Sequence, residues 1–142
     1  MKIKEIAQVS KNSKVELSLY SSKISAGFPS PAEDYVEKKL DLNELLIKHE
    51  AATFFVRVEG DSMINAGINS DDILIVDKSI VASSGKIIVA IVDGEFTVKR
   101  FIKKDNQMIL RAENPKYKDI VIKDSDNFEI WGVVTFVIHE AK

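Results

Sequence analysis

From Thr53 to Ile138 the chain runs in short apolar or alternating stretches separated by turn residues. Side chains of a strand point alternately to its two faces, so this patterning predicts strands over 53–58, 72–77, 86–92, 95–101, 107–112, 119–122 and 128–138. The clearest junction is Asp93-Gly94, which joins the block Ile87-Ile88-Val89-Ala90-Ile91-Val92 to Phe96-Thr97-Val98-Lys99. That pair suits a two-residue type I′ hairpin, because both central residues must take positive φ. Asn114-Pro115 marks another turn. Asp41-Leu42-Asn43-Glu44 has the form of a capping box and predicts a short amphipathic helix through Leu45, Leu46 and Ile47. Further upstream, Val15-Glu16-Leu17-Ser18-Leu19-Tyr20 alternates like an edge strand. The stretch from Ser21 to Pro31 gathers serine, glycine and proline as a linker does. No internal repeat is present. The pattern predicts a mainly-β chain, a compact barrel or sandwich with a few short helices. Its expected organisation is an extended N-terminal arm over 1–26, a linker and short helix over 27–50, and a β-rich domain over 51–142.

Composition narrows the chemistry. Hydrophobic residues at 45% and charged residues at 30% suit a soluble globular domain able to bury a core without staples. The absence of cysteine removes disulfides, thiolate nucleophiles and thiolate zinc sites together. A formal net charge of −2 gives the whole chain no electrostatic pull toward nucleic acid, so direct sequence-specific DNA binding is not expected. The charge is uneven. Lys2, Lys4, Lys11, Lys14 and Lys23 against Glu5 and Glu16 give residues 1–26 a formal +3, which leaves −5 for the rest. No apolar run is long enough to span a membrane and no secretory signal is visible, so a cytoplasmic protein is expected.

Candidate chemistry then converges on Val58-Glu59-Gly60-Asp61-Ser62-Met63. A strand stops at a glycine, and a hydroxyl residue follows at the start of a turn. Ser62 suits either a helix N-cap or a nucleophile, and the cap is the commoner role. His49 and His139 lack acidic neighbours at ligand spacing, so neither a metal site nor a histidine-based triad is expected, and no phosphate-binding glycine loop or other cofactor motif exists. A serine can instead be activated by a lysine, provided that burial makes the amine neutral. Lys99 and Arg100 both lie in an apolar hairpin strand, and alternation alone leaves open which of the two cations is buried.

Several stretches resemble the UmuD family, the SOS-mutagenesis relatives of the LexA repressor and of the phage repressor self-cleaving domains. They are Gly27-Phe28-Pro29-Ser30-Pro31-Ala32, Asp34-Tyr35-Val36-Glu37, Asp41-Leu42-Asn43, Leu45-Leu46-Ile47, Gly60-Asp61-Ser62-Met63-Ile64, Ile73-Leu74-Ile75-Val76-Asp77, and Val92-Asp93-Gly94-Glu95-Phe96-Thr97-Val98-Lys99. The likeness keeps its order over roughly residues 24–138, with Ser62 and Lys99 separated by 37 positions. It implies a LexA-like catalytic fold in which Ser62 is the nucleophile and Lys99 the general base. The backbone N–H groups of Asp61 and Ser62 would form the oxyanion hole, and Ala26–Gly27 would be the scissile bond. No cofactor and no metal is implied. The implied partners are a second copy in a homodimer, a RecA–single-stranded DNA filament that stimulates cleavage, and a UmuC-like Y-family translesion polymerase. Two departures stand out. UmuD proteins commonly carry Cys-Gly at the cleavage site, whereas Ala26-Gly27 is the pair of LexA-like repressors. Asp71-Asp72 also replaces the family's usual Gly-Asp turn, which asks Asp71 to tolerate positive φ.

Other readings differ in kind. A transcriptional repressor would need a helix-turn-helix domain, and about 26 residues ahead of the linker are too few for one. A truncated repressor peptidase domain, or a catalytically silent interaction module of the same fold, fits the length. A signal peptidase with the same dyad would call for a membrane anchor.

Overall fold

Ten strands and few helical turns make up the computed structural model, which describes residues 1–8, 16–20 and 36–142, with side chains for 1–8 and 41–142. The strands are β1 (Lys2–Gln8), β2 (Glu16–Tyr20), β3 (Val36–Asp41), β4 (Thr53–Glu59), β5 (Ile73–Asp77), β6 (Ile87–Val92), β7 (Glu95–Lys104), β8 (Gln107–Arg111), β9 (Ile120–Val121) and β10 (Phe128–Ile138). Met1–Val9 with His49–Lys142 forms one compact unit, and Ser10–Lys48 forms a second.

The larger unit is a single antiparallel sheet in the order β1-β4-β5-β10-β6-β7-β8-β9. It curls until the edge strand meets β7, where the Val98 N–H donates to the Met1 carbonyl at 3.4 Å. The mainly-β, LexA-like expectation therefore holds. Both faces of the central strands are covered. Val89 on β6 belongs to a core with Val56, Val58, Met63, Leu74, Val76 and Val98, while its neighbours Ile88 and Ala90 face a second core with Phe101, Leu110 and Val133. Burial on both faces explains why β6 reads as a continuous apolar block.

The predicted hairpin forms, with φ of 50° at Asp93 and 82° at Gly94. A second one was not predicted. Asp105 (φ 51°) and Asn106 (φ 63°) join β7 to β8, because their short polar side chains tolerate the left-handed region. Asp71 takes φ 72°, as its position required. Gly132 lies at a bulge of β10, and a Cβ there would come within 2.5 Å of Val76 Cγ1, so only glycine lets β10 pack against β5.

In the smaller unit β2 pairs antiparallel with β3, from Glu16 opposite Asp41 to Tyr20 opposite Val36. The partner of the predicted Val15–Tyr20 strand is thus a stretch that had read as linker. The predicted helix is α1 (Leu42–Leu46), and Asp41 caps it by accepting from the Asn43 N–H at 3.0 Å. Ala26 and Gly27 lie outside the described residues.

Candidate active site

Strand β4 delivers the nucleophile candidate. Val56 and Val58 are fully buried and pin the strand, and Gly60 at φ 109° then turns the chain back on itself. The Gly60 N–H donates to Ser70 Oγ at 3.2 Å. Met63 is fully buried, so the residue before it is held at the rim of the core, and Ser62 is 2% exposed. The next turn of the chain corrects the capping alternative for Ser62. It is a three-residue 3-10 helix, Ile64–Ala66, whose N-cap position is Met63. Ser62 stands outside it, and its hydroxyl is engaged by two amines instead.

One of them is Lys99, whose Nζ donates to Ser62 Oγ at 3.3 Å. Strand β7 places it there. Lys99 pairs with Ile88 and is flanked by Val98 and Arg100, and it is only 6% exposed. Burial among apolar groups pushes its amine below the usual lysine range. Arg100, the other cation left open by alternation, points elsewhere. It pairs with Glu113 and donates to the Gly85 carbonyl at 2.6 Å. No carboxylate among the described residues forms an ion pair with Lys99.

The second amine is that of Met1, which donates to Ser62 Oγ at 2.8 Å. Burial and the neighbouring Lys99 lower it from 8.0 to about 5, so it is neutral at physiological pH. Nothing in the sequence pattern pointed to this contact. Strand β1 reaches the site by pairing along β4, from Lys2 opposite Glu59 to Gln8 opposite Phe54. An open cleft of about 430 Å³ remains beside Ser62, lined by Met1, Lys2, Glu59, Asp61, Ser70 and Tyr117 among others.

Two further residues touch the serine's loop and were missed in the sequence, where Asn114-Pro115 read only as a turn. Asn114 Nδ2 donates to the Asp61 carbonyl at 2.9 Å, and the Tyr117 hydroxyl donates to the Asp61 carboxylate. That contact lowers the Asp61 carboxyl below its usual range and raises the Tyr117 phenol. The two histidines each hold a buried aspartate, His49 with Asp77 and His139 with Asp72, both at 2.6 Å. Among the described residues no cluster of three histidine, aspartate or glutamate side chains could hold a metal ion. Nor is any helix there long and apolar enough to cross a membrane.

Chemically, a buried amine with no ion-pair partner among the described residues, set beside a buried serine hydroxyl, can act as a base toward it. The peptidase S24-like family model matches residues 18–135. Protein MucA of Salmonella typhimurium is 42% identical over 125 residues, covering 85% of this chain and 83% of the relative. Protein SamA of Salmonella typhimurium strain LT2 is 45% identical over 124 residues, covering 87% and 86%. The LexA repressor of Leptospira interrogans is 40% identical over 100 residues, covering 70% of this chain but 49% of the repressor.

Proposed function

The chain belongs to the peptidase S24-like family, and from that premise we propose that it is a serine peptidase that cuts itself at Ala26–Gly27 with a Ser62–Lys99 dyad. The observation that carries this reading is the 3.3 Å contact between two buried side chains, Lys99 Nζ and Ser62 Oγ, 37 residues apart in the chain. Neutral Lys99 takes the Ser62 proton as Oγ attacks the Ala26 carbonyl carbon. The tetrahedral oxyanion is met by the backbone N–H groups of Asp61 and Ser62. Collapse breaks the C–N bond, the proton passes from Lys99 to the departing Gly27 nitrogen, and Ala26 is left as an ester on Ser62. Water, deprotonated by Lys99, then hydrolyses that ester. Small residues at the bond let an extended segment approach the serine without side-chain collision.

On this reading the protein is a cytoplasmic regulatory subunit of SOS mutagenesis. It acts as a homodimer, its cleavage is stimulated by a RecA–single-stranded DNA filament, and its shortened form joins a UmuC-like translesion polymerase. Kinship with the UmuD and LexA self-cleaving proteins supports this assignment. Purified protein held at alkaline pH should slowly release residues 1–26, and mass spectrometry of the products reads the bond directly. Ser62→Ala and Lys99→Ala should each slow release by a factor of at least about 1,000. Release at the wild-type rate from either variant would remove the dyad.

A further inference from the structure

The loop after β8 does more than turn the chain. It grips the nucleophile's loop at three points. The Asn65 N–H donates to the Glu113 carbonyl at 2.9 Å, Asn114 Nδ2 donates to the Asp61 carbonyl at 2.9 Å, and the Tyr117 hydroxyl donates to the Asp61 carboxylate. The loop is itself fixed. Asn114 Oδ1 accepts from the Lys116 N–H at 3.0 Å, and the Asn114 carbonyl accepts from the Tyr117 N–H at 3.1 Å, which closes a turn around Pro115. Glu113 pairs with Arg100, the residue next to Lys99 on β7. One short segment therefore ties the strand that carries the base to the loop that carries the nucleophile.

The orientation of the Asn114 amide is set by its partners. A backbone N–H must meet oxygen, so Oδ1 faces Lys116 and Nδ2 faces Asp61. The Asp61 carbonyl also receives the Ile64 N–H, at the longer distance of 3.3 Å. Its place in the loop matters because the Asp61 C=O and the Ser62 N–H belong to one planar peptide unit and point in opposite directions. Whatever fixes the carbonyl fixes the N–H. Asn114 is 9% exposed, so water competes little for this bond.

We propose that Asn114 is a positioning residue for self-cleavage: by holding the Asp61 carbonyl it aims the Ser62 N–H at the developing oxyanion. Tyr117 supports it by holding the Asp61 side chain. This role rests on the Ser62–Lys99 dyad and deepens it. Asn114 touches neither substrate nor reacting atoms, and acts through the Asp61–Ser62 peptide alone.

The test separates aiming from mere turn formation. In Asn114→Asp the acceptor for the Lys116 N–H is kept and the donor to Asp61 is lost. Self-cleavage of the full chain is followed as a first-order rate from pH 7 to pH 10.5. Rates are compared on the plateau above the titration of Lys99, where the pull of an added carboxylate on that amine no longer matters. The plateau rate of Asn114→Asp should fall about tenfold to a hundredfold, less than loss of an oxyanion donor itself costs. Asn114→Ala, which adds no charge, should show a similar fall with an unchanged midpoint, because the base is untouched. Tyr117→Phe, at an exposed hydroxyl, should slow the plateau severalfold with wild-type melting behaviour. A plateau at the wild-type rate in folded Asn114→Asp would overturn the proposal, whatever Asn114→Ala does to folding. A wild-type chain whose cleavage does not depend on Ser62 would instead overturn the dyad, and the role of Asn114 with it.

Discussion

A lysine that is 6% exposed and has no carboxylate in ion-pair range among the described residues is costly to keep charged, and Lys99 is placed in that way. Burial lowers its pKa, so the unfolded chain holds that proton more tightly than the folded one. The stability contributed by this group therefore rises as pH climbs through the window between the lowered value and the ordinary 10.5, and is lost as pH falls back through it. Two outcomes share that sign. Self-cleavage should increase with pH and level off below 10.5, because the neutral amine accumulates earlier than in a free lysine. Lys99→Met, which fills the site without a charge, should melt at a higher temperature than the wild type at pH 7. That advantage should shrink as the pH approaches 10.5. A constant difference in Tm across this range would mean that Lys99 does not titrate as a buried amine.

At the scale of elements, the bulge in β10 is the sharpest packing constraint in the sheet. Gly132→Ala would set a methyl 2.5 Å from Val76 Cγ1, and Val76 is fully buried with no room to yield. Overpacking of this kind costs roughly 1–3 kcal/mol, so the urea midpoint should drop with little change in slope. A wild-type midpoint would show that β10 can move away from β5 freely. Most of the sheet between Thr53 and Ile138 is legible in the sequence because turn residues bracket apolar runs, as Asp93-Gly94 does. Strand β1 is not, and its register shows why. Three positions separate Ile3 from Ile6, yet they pair with Val58 and Val56, two positions apart, because a register shift between Ile3 and Glu5 absorbs one residue. A period of two cannot detect that pattern. The β7–β8 hairpin escapes notice for a different reason: Lys103-Lys104-Asp105-Asn106 is polar throughout and gives no apolar edge to mark the turn. Ser62 could be found as a candidate from the local pattern, but strand alternation could not choose Lys99 over Arg100, and only the family resemblance did so. That choice depends on Glu113, which draws the guanidinium away across the loop after β8. The role of Asn114 is likewise a contact across 53 positions, invisible to any local pattern.

For the whole molecule, the placement of Met1 couples the docking of β1 to pH. The amine falls from 8.0 to about 5 on folding, so the docked state is favoured most above pH 8, and that preference is lost as pH drops toward 5. Hydrogen exchange should accordingly show the β1–β4 amides losing protection between pH 8 and pH 5, relative to the β5–β10 ladder after correction for intrinsic rates. Equal protection ratios at both pH values would mean that the amine is not buried against Ser62. While β1 is docked, the amine occupies one of the two Oγ lone pairs, which leaves the other for attack.

The pairing of β1 with β4 has one more consequence. Both strands belong to one chain, so β1 meets β4 within the molecule, at an effective concentration that does not change with the protein concentration outside. The proposed cut at Ala26–Gly27 leaves every contact between the two strands intact and removes only the tether. The released segment carries β1, paired with β4, and β2, paired with β3, so after the cut only non-covalent contacts hold it, and those are open to dilution. Its departure bares the backbone N–H and C=O groups along the outer edge of β4, the kind of edge onto which another strand can add. Cleavage would then act on this sheet by dilution, although the peptide bond it cuts lies outside the sheet's strands.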